Sequence, residues 1–224
     1  MIDVIVISKD NLSDLIKTLG SIRTQLSAIN NIIIVDDSLE NNYKNILGII
    51  GDEKKITYFF QKANSIYNAF NVAMRHVREN YIFLNSGDIL ISGSFKRVDS
   101  PILLSTIGLS DQKIKKIVAR NDFFYWFCHQ SVVFDKRFNQ EYDEDFKIAS
   151  DLDFYIRYVK EFGFPKLGDI STGVIGYDLS GLSTQRRFRR DLEYLKIYVK
   201  HNLYKQFICF AGLMVLKASF GRYV

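Results

Sequence analysis

Short apolar runs rich in β-branched residues alternate with amphipathic helical segments over the first part of this chain, and this alternation is its strongest structural constraint. Strand-like runs lie at 2–7, 32–35, 56–60 and 81–84. Between them, apolar residues recur at helical spacing at 11–25, 43–50 and 65–78, with Asn11 or Ser13 as a possible first helix cap. Strands that alternate with helices predict an α/β fold with a mainly parallel, Rossmann-like sheet covered on both faces.

The pattern is looser after residue 91. Strands are predicted at 117–118, 131–134 and 172–177, and a helix at 152–162. The second half is therefore expected to be α+β and continuous with the first sheet. A chain of 224 residues fits one large domain, which we place at 1–185, followed by a helical extension at 186–224.

Composition excludes several classes of protein. Hydrophobic residues make up 47% and charged residues 25%, which is enough apolar material for a core and unlike a disordered chain. Two Pro and 13 Gly, with no repeat of fixed period, exclude collagen-like, linker and solenoid sequences. Cys128 and Cys209 are too few for a disulfide framework, and the N-terminus lacks a signal-peptide pattern. A cytoplasmic location is expected.

The C-terminal extension is both basic and apolar. Residues 181–224 contain nine Lys and Arg against two acidic residues, a formal charge of +7, while the rest of the chain carries −2. Such a tail is expected to meet phosphates or an anionic membrane surface, unless it is a solvated basic helix. The apolar run 207–216 is too short to cross a bilayer, which needs ~20 residues. It is expected to pack on the domain, to form a homodimer contact, or to lie in the membrane interface.

Polar residues follow the predicted strands where a parallel sheet binds its ligands. Ser8 and Lys9 follow the first strand, Asp36 and Asp37 the second, and the segment 85–88 (Asn-Ser-Gly-Asp) the fourth. In open α/β sheets ligands bind beyond the carboxyl ends of the strands, and a carboxylate there can hold a divalent cation. The alternative is that these Asp side chains cap turns.

Two further polar clusters lie in the second half. Asp151 and Asp153 stand at the start of the predicted helix 152–162, where the helix dipole favours carboxylates. Capping alone would account for one of them. His129 and Gln130 precede a predicted strand, where an isolated His is more often structural than catalytic.

Five segments together resemble the family-2 glycosyltransferases in their order and spacing: 5–11 (IVISKDN), 34–38 (IVDDS), 83–88 (FLNSGD), 129–131 (HQS) and 149–153 (ASDLD). The chain is most similar to the bacterial branch that builds capsule, exopolysaccharide or lipopolysaccharide, over about residues 2–185. The resemblance implies a GT-A fold with a nucleotide-binding half at about 1–90 and an acceptor half at about 91–185.

The same resemblance implies a function. The chain would be an inverting hexosyltransferase that uses a nucleotide-diphosphate sugar, with UDP favoured, and Mg²⁺ or Mn²⁺. The acceptor would be a saccharide or a lipid-linked molecule, and the protein would be cytoplasmic or peripheral on the inner face of the cell membrane.

Roles for individual residues also follow from the resemblance. Asp151 would be the catalytic base. Asp88 would bind the metal, although Asn85 stands near where other members have a second Asp, which weakens the expected site. The acceptor or phosphate side would contain His129, Gln130 and Asp153. The nucleotide sugar would be bound by Ser8, Lys9, Asp36, Asp37, Lys62, Asn64, Asn68, Asn85, Ser86, Arg186 and Arg187, the last two beside a loop at 178–184 that resembles the family's donor-closing loop.

Three other classes compete with this interpretation. The string IIVDDS at 33–38 is similar to bacterial receiver domains, but there the acidic pair follows the first strand, and here a strand and a helix precede it. A nucleotidyltransferase would have a Gly-rich loop after its first strand, and 8–12 contains no Gly. A nucleic-acid-binding protein fits the basic tail but leaves Asp37, Asp88 and Asp151 unexplained. We therefore expect no nucleic-acid partner.

Overall fold

A four-stranded parallel sheet lies at the centre of the fold. The computed structural model describes residues 1–92, 102–110, 113–116, 120–168, 173–178 and 186–220. The strands are β1 (Ile2–Ser8), β2 (Ile29–Asp36), β3 (Ile56–Phe60) and β4 (Asn80–Asn85), in the order β3-β2-β1-β4. All three neighbouring pairs are parallel, as the alternation of strands and helices predicts.

Three helices connect these strands: α1 (Leu12–Arg23), α2 (Tyr43–Ile50) and α3 (Ile66–Met74). The side chain of Asn11 accepts the Asp14 N–H at 3.1 Å and caps α1, and that of Ser65 accepts the Asn68 N–H at 3.0 Å and caps α3. Gly51, with a φ of 74°, ends α2 in the left-handed conformation that glycine favours. The observed bounds of α2 and β3 are those predicted.

The second half contains nine strands among the described residues: β5 (Ile89–Ser92), β6 (Ile102–Leu103), β7 (Ser105–Ser110), β8 (Lys113–Lys116), β9 (Arg120–Asn121), β10 (Trp126–Phe127), β11 (Val132–Val133), β12 (Lys166–Leu167) and β13 (Val174–Asp178). They form sheets of order β11-β6-β12, β5-β13-β7-β8 and β10-β9. The predicted continuity with the first sheet is present, in the described part, as one antiparallel bridge between Tyr81 and Phe134. The strand predicted at 117–118 lies outside the described residues.

Three further helices complete the described chain: α4 (Ser150–Phe162), α5 (Arg187–Lys200) and α6 (Tyr204–Ser219). They share a hydrophobic core in which Ile156 of α4 packs with Ile197 and Tyr198 of α5 and with Phe210 and Met214 of α6. One side of the apolar run 207–216 is therefore packed on the domain, and the other side of α6 is exposed.

The sheet is buried on both faces, which explains why β1 is apolar at nearly every position. On one face Ile5 and Phe83 pack in a core that also contains Phe154 of α4, and on the other face Val4 packs with residues of α1 and α2. Asp3 is the charged exception in β1. Its buried carboxylate accepts the backbone N–H groups of residues 78 and 79 at 2.7 and 3.0 Å, so it ties β1 to the turn before β4.

Candidate functional site

A pocket of about 330 Å³ opens at the carboxyl ends of β1 and β4. Its walls come from the loop after β1, from Asp37 after β2, from the segment that leads into α3, and from the turn after β4. Six residues predicted to bind a nucleotide sugar line it: Ser8, Lys9, Asp37, Asn64, Asn85 and Ser86. The fold thus brings together strand ends that are up to 77 positions apart in the chain.

The loops after β1 and β2 are joined at the mouth of this pocket. Lys9 Nζ lies 2.8 Å from Asp37 Oδ2, and this hydrogen bond is the main cause that raises the pKa of Lys9. The backbone is joined as well, because the Asp37 N–H donates to the Ser8 carbonyl at 2.9 Å. The hydroxyl oxygen of Ser8 itself is buried and has no hydrogen-bond partner in the described protein.

Asp36 and Asp37 have different environments although they are adjacent. Asp36 is fully buried, and its carboxylate accepts hydrogen bonds from Asn42 Nδ2 at 3.0 Å, from the Tyr58 hydroxyl at 2.8 Å and from Ser38. These contacts connect β2, β3 and the start of α2. Asp36 therefore has a structural role in the described residues, and Asp37 is the member of the pair that faces the pocket.

The turn after β4 is built around Asp88. Asp88 is 1% exposed, and its Oδ2 accepts the Asn85 N–H at 2.8 Å while its own N–H donates to the Asn85 carbonyl at 3.0 Å. Gly87, with a φ of 102°, allows this tight turn and donates its N–H to Thr18 Oγ1 at 2.9 Å. Asn85 Oδ1 is buried and has no hydrogen-bond partner among the described residues.

The chemistry of Asp88 and Asn85 fits a weak site for a hard cation. One carboxylate and one amide oxygen are ligand types that Mg²⁺ accepts, and such sites commonly rely on substrate phosphates for further ligands. In the described part of the chain, no group of three or more His, Cys, Asp or Glu side chains is placed to hold a metal ion. A cation here would need the phosphates of a bound ligand to complete its coordination.

Asp151, the predicted base, is the second residue of α4. Its Oδ1 accepts the Leu152 N–H at 2.9 Å. Burial raises the pKa of Asp151 to about 6, the charge of Glu193 adds to this, and the Leu152 N–H and the Arg190 guanidinium oppose it. The Asp151 charge in turn contributes to the raised pKa of Tyr67, which burial chiefly causes. Tyr67 belongs to the first turn of α3, whose neighbours Ile66 and Ala69 line the pocket.

His129 is buried in an aromatic cluster. Its Nε2 lies 2.6 Å from the Tyr142 hydroxyl, and its ring stacks on Phe83 at 4.7 Å. Burial lowers the pKa of His129 to about 3, so the ring is neutral at pH 7 and is placed for packing. Gln130 is also buried, and its Oε1 accepts a hydrogen bond from Cys128 Sγ at 3.7 Å.

The Cys128 thiol lies within electrostatic range of the turn after β4. Burial raises the pKa of the Cys128 thiol to about 12, and the charge of Asp88 contributes. The segment 128–130 is therefore a neighbour of the expected metal and phosphate side.

Asp153 is in a buried ion-pair cluster. Its Oδ1 contacts Lys200 Nζ at 2.6 Å and His201 Nε2 at 2.9 Å, and its Oδ2 accepts a hydrogen bond from Arg157 Nε at 2.9 Å. Burial alone would raise the pKa of Asp153, but these partners outweigh it and hold the pKa well below its usual range. The contacts with Lys200 and His201 join α4 to the end of α5, and the contact with Arg157 lies within α4. The observed role of Asp153 is therefore structural, and its expected role on the acceptor or phosphate side stays a prediction.

The remaining predicted donor-binding residues are not among those that line the pocket. Lys62 is exposed, and Asn68 donates to Glu144 Oε1 at 3.0 Å. Arg186 and Arg187 are exposed at the start of α5. Residues 179–184 of the predicted donor-closing loop are outside the described part of the chain.

Sequence reasoning missed two neighbours of Asp151, namely Tyr67 and Glu193. Tyr67 belongs to the apolar face of a helix, a pattern that indicates only core packing. Glu193 belongs to the C-terminal extension, and no spacing signal connects it to residue 151.

Comparisons with known proteins establish the fold. No family model and no curated protein matches the chain. Among solved structures, it is similar to residues 1–349 of Staphylococcus aureus TarS in complex with UDP-GlcNAc, with a TM-score of 0.64 and 13% identity over 88% of this chain and 64% of that one. It is also similar to the mannosyltransferase PcManGT of Pyrobaculum calidifontis in complex with GDP-Man and Mn²⁺, with a TM-score of 0.62 and 13% identity over 89% of this chain and 63% of that one.

These likenesses confirm the predicted fold class: the chain has an α/β glycosyltransferase fold with a parallel four-stranded sheet flanked by helices. The chain spans less than two thirds of the length of either solved structure.

Proposed function

We propose that this chain is an inverting glycosyltransferase that moves a hexosyl group from a nucleotide-diphosphate sugar, with UDP favoured, to an acceptor hydroxyl. The observation that carries the proposal is the pocket at the carboxyl ends of β1 and β4, which gathers six predicted donor-binding residues in a glycosyltransferase fold. Complexes of similar solved structures with UDP, UDP-GlcNAc and GDP-Man support a donor of this class.

The pocket offers the groups that a nucleoside requires. Asp37 presents carboxylate oxygens to ribose hydroxyls or to N–H groups of the base. The unpartnered hydroxyl of Ser8 and the side chains of Asn64 and Ser86 offer further hydrogen bonds. A charge-assisted hydrogen bond is about twice as strong as a neutral one, so Asp37 is expected to contribute most to nucleoside affinity.

Asp151 is proposed as the general base. A carboxylate whose pKa is about 6 is mostly ionised at pH 7 and remains basic enough to accept a proton. As the acceptor oxygen attacks the anomeric carbon, its proton passes to Asp151. The bond from that carbon to the diphosphate breaks on the opposite face, and its electron pair leaves with the diphosphate oxygen.

A divalent cation is proposed at the turn after β4. Asp88 and the orphaned Asn85 Oδ1 would hold Mg²⁺ or Mn²⁺ together with the diphosphate. When bound, the cation would neutralise charge that develops on the leaving diphosphate.

The C-terminal helices provide a surface that fits an anionic membrane, where a lipid-linked acceptor for cell-surface polysaccharide would be found. The two acidic residues of 186–220, Asp191 and Glu193, are both buried, so the exposed charges of α5 and α6 are basic. Large apolar side chains stand among them, including Ile208 at 68% exposure and Val215 at 65%. Basic groups beside exposed apolar ones are typical of helices that lie in the interface plane. None of the described helices is long and apolar enough to cross a bilayer.

The experiment that tests the function is a thermal-unfolding screen of UDP-, GDP- and dTDP-sugars with and without Mn²⁺. A donor at 100 times its dissociation constant stabilises the fold by ~2.7 kcal/mol. Hydrolysis or transfer from the stabilising donor is then measured with saccharide and polyprenyl-linked acceptors. Absence of stabilisation by all three donor classes contradicts the proposal.

A further inference from the structure

Three consecutive backbone N–H groups, just before α4, converge on one carboxylate of α5. The Lys147 N–H donates to Glu193 Oε1 at 3.1 Å, and the Ile148 and Ala149 N–H groups donate to Glu193 Oε2 at 2.8 and 2.9 Å. Glu193 is 7% exposed. Successive N–H groups that point to one centre form an anion-binding concavity, and here the anion is a side chain of the same protein.

This contact replaces a local cap. Ala149 is at the N-cap position of α4 and has no side-chain oxygen with which to bind the first turn. The segment 147–149 is instead held from a distance by Glu193. Asp151 follows two residues after Ala149, so the direction in which α4 begins decides where the Asp151 carboxylate lies.

The helix that carries Glu193 is itself firmly placed. Ile197 and Tyr198 of α5 are fully buried and pack against Ile156 of α4. Arg189 Nε lies 3.9 Å from Glu193 Oε1 on the solvent side. A side chain on a packed helix can therefore hold the segment before α4 in one conformation.

We propose that Glu193 is a positioning residue, which rests on the proposed role of Asp151 as base: Glu193 holds the backbone of residues 147–149 so that α4 presents Asp151 to the acceptor. The negative charge of Glu193 also helps to raise the pKa of Asp151. Five titratable or charged groups interact electrostatically with Asp151. They come from α3, from the segment before α4 and from α5: Tyr67, Tyr142, Arg190, Glu193 and Tyr194.

Two substitutions separate the effect of the length of the Glu193 side chain from the effect of its charge. Glu193→Gln keeps the length but leaves one acceptor oxygen for three N–H groups and removes the charge. Glu193→Asp keeps the charge but is one methylene too short to meet all three. We expect both to lower kcat by roughly 10- to 100-fold, as small misplacements of a catalytic group do, with the donor dissociation constant within about twofold of wild type. Glu161→Gln, the same change at an exposed position of α4, is the matched control and should behave as wild type.

Two measurements that do not depend on enzymatic activity test whether Glu193 positions Asp151. Amide hydrogen exchange at 147–149 should become faster in both variants. A carboxyl ¹³C titration by NMR should show a lower pKa of Asp151 in Glu193→Gln than in wild type and Glu193→Asp, since only the Gln variant removes the neighbouring negative charge.

Unchanged exchange at 147–149 together with an unchanged Asp151 titration in Glu193→Gln overturns the proposal, and so does a loss of donor binding equal to the loss of turnover. If no sugar nucleotide binds the wild type, the proposed function fails. The exchange and titration results still decide whether Glu193 positions Asp151.

Discussion

Lys9 and Asp37 form an ion pair of 2.8 Å across the mouth of the pocket, where they join the loop after β1 to the loop after β2. The Lys9 side chain is 69% exposed and that of Asp37 11%. A pair with one exposed partner contributes only about 0–1 kcal/mol to stability. The pair is therefore better suited to orient Asp37 toward a ligand than to hold the fold together.

Asp37→Asn should weaken donor binding with little effect on folding. The amide keeps the shape of the side chain but cannot give a charge-assisted hydrogen bond, so the dissociation constant should rise roughly 10-fold. The measurement is isothermal titration calorimetry with the donor that stabilises the wild type. Asp145→Asn, at an exposed Asp outside the pocket, is the control. Equal affinity of wild type and Asp37→Asn would remove Asp37 from the nucleoside site.

Asp151→Asn should abolish base catalysis while leaving the donor site intact. Turnover is expected to fall by ~10²-fold or more, because proton transfer by a positioned group contributes about that much. In the wild type, kcat/KM should fall as the pH is lowered through about 6, where Asp151 becomes protonated. Initial rates from pH 5 to 8 measure both effects. If the fall of kcat/KM at low pH is the same in Asp151→Asn as in the wild type, the titrating group is not Asp151.

The same substitution should stabilise the protein. The pKa of Asp151 is raised from 3.8 to about 6 on folding, so its ionisation costs on the order of 1–3 kcal/mol of stability at pH 8. Below about pH 4 Asp151 is protonated in both states and the cost is absent. The cost grows between pH 4 and pH 6 and is constant above about pH 6. Urea unfolding of wild type and Asp151→Asn at pH 4 and pH 8 tests this. A variant that is less stable than wild type at pH 8 contradicts it.

Asp88→Ala should weaken donor binding in the presence of Mn²⁺ and change it much less in EDTA. The reason is that the proposed cation connects the protein to the diphosphate, so its ligand matters only when the metal is present. Donor titrations under both conditions provide the four dissociation constants that are needed. If EDTA leaves binding and turnover of the wild type unchanged, the metal assignment is wrong.

Asp153→Asn should destabilise the protein strongly. Breaking a buried ion pair typically costs about 3–5 kcal/mol. The loss should lie at the lower end of that range, because the Lys200 side chain is 40% exposed and keeps its contact with Asp143. Since the folded-state pKa of Asp153 lies below its usual value, the contribution is present above about pH 4 and lost as the pH falls further. Asp143→Asn, which shares Lys200 but is 29% exposed, should cost about 1 kcal/mol or less. Similar losses from the two variants would refute the structural role.

Charge reversal on the C-terminal helices should reduce binding to anionic vesicles. Lys196→Glu with Lys205→Glu changes two exposed cations of α5 and α6, and each basic group near such a surface contributes about 1 kcal/mol. Flotation with phosphatidylglycerol vesicles at low salt should then recover less protein than for wild type.

The control for the vesicle experiment is the double variant Lys44→Glu with Lys54→Glu. It reverses two exposed charges near α2, away from the C-terminal helices. Truncation at His201 is a poorer test because it would remove the buried Phe210 and Met214 from their core. Equal flotation of both double variants would count against a membrane surface at α5 and α6.

Local features of the fold were predictable because they depend on neighbouring residues. The bounds of α2 and β3, the Asn11 cap and the polar ends of β1, β2 and β4 all follow from periodicity and side-chain chemistry within a few positions. The parallel order of strands follows from their alternation with helices. Even the grouping of Ser8, Asp37 and Asn85 in one pocket follows, because the carboxyl ends of parallel strands meet at one edge.

The roles of individual carboxylates could not be read from the sequence. Asp36 and Asp37 look equivalent in the chain, but Asp36 is the last residue of β2 and is fully buried, whereas Asp37 begins the following loop and is partly exposed. Only tertiary packing decides which of the two carboxylates is interior. Asp151 and Asp153 differ because Lys200 and His201, 47 and 48 positions away, lie beside Asp153.

The sequence alone therefore determined the α/β architecture and the edge of the sheet at which ligands bind, since both arise from short-range periodicity. Tertiary structure alone decided which carboxylates are paired, which one has a raised pKa, and that Glu193 holds the start of α4. The physical reason is that ionisation and orientation depend on burial and on charges within a few ångströms. Those charges come from segments that are distant in the chain, and only folding brings them into contact.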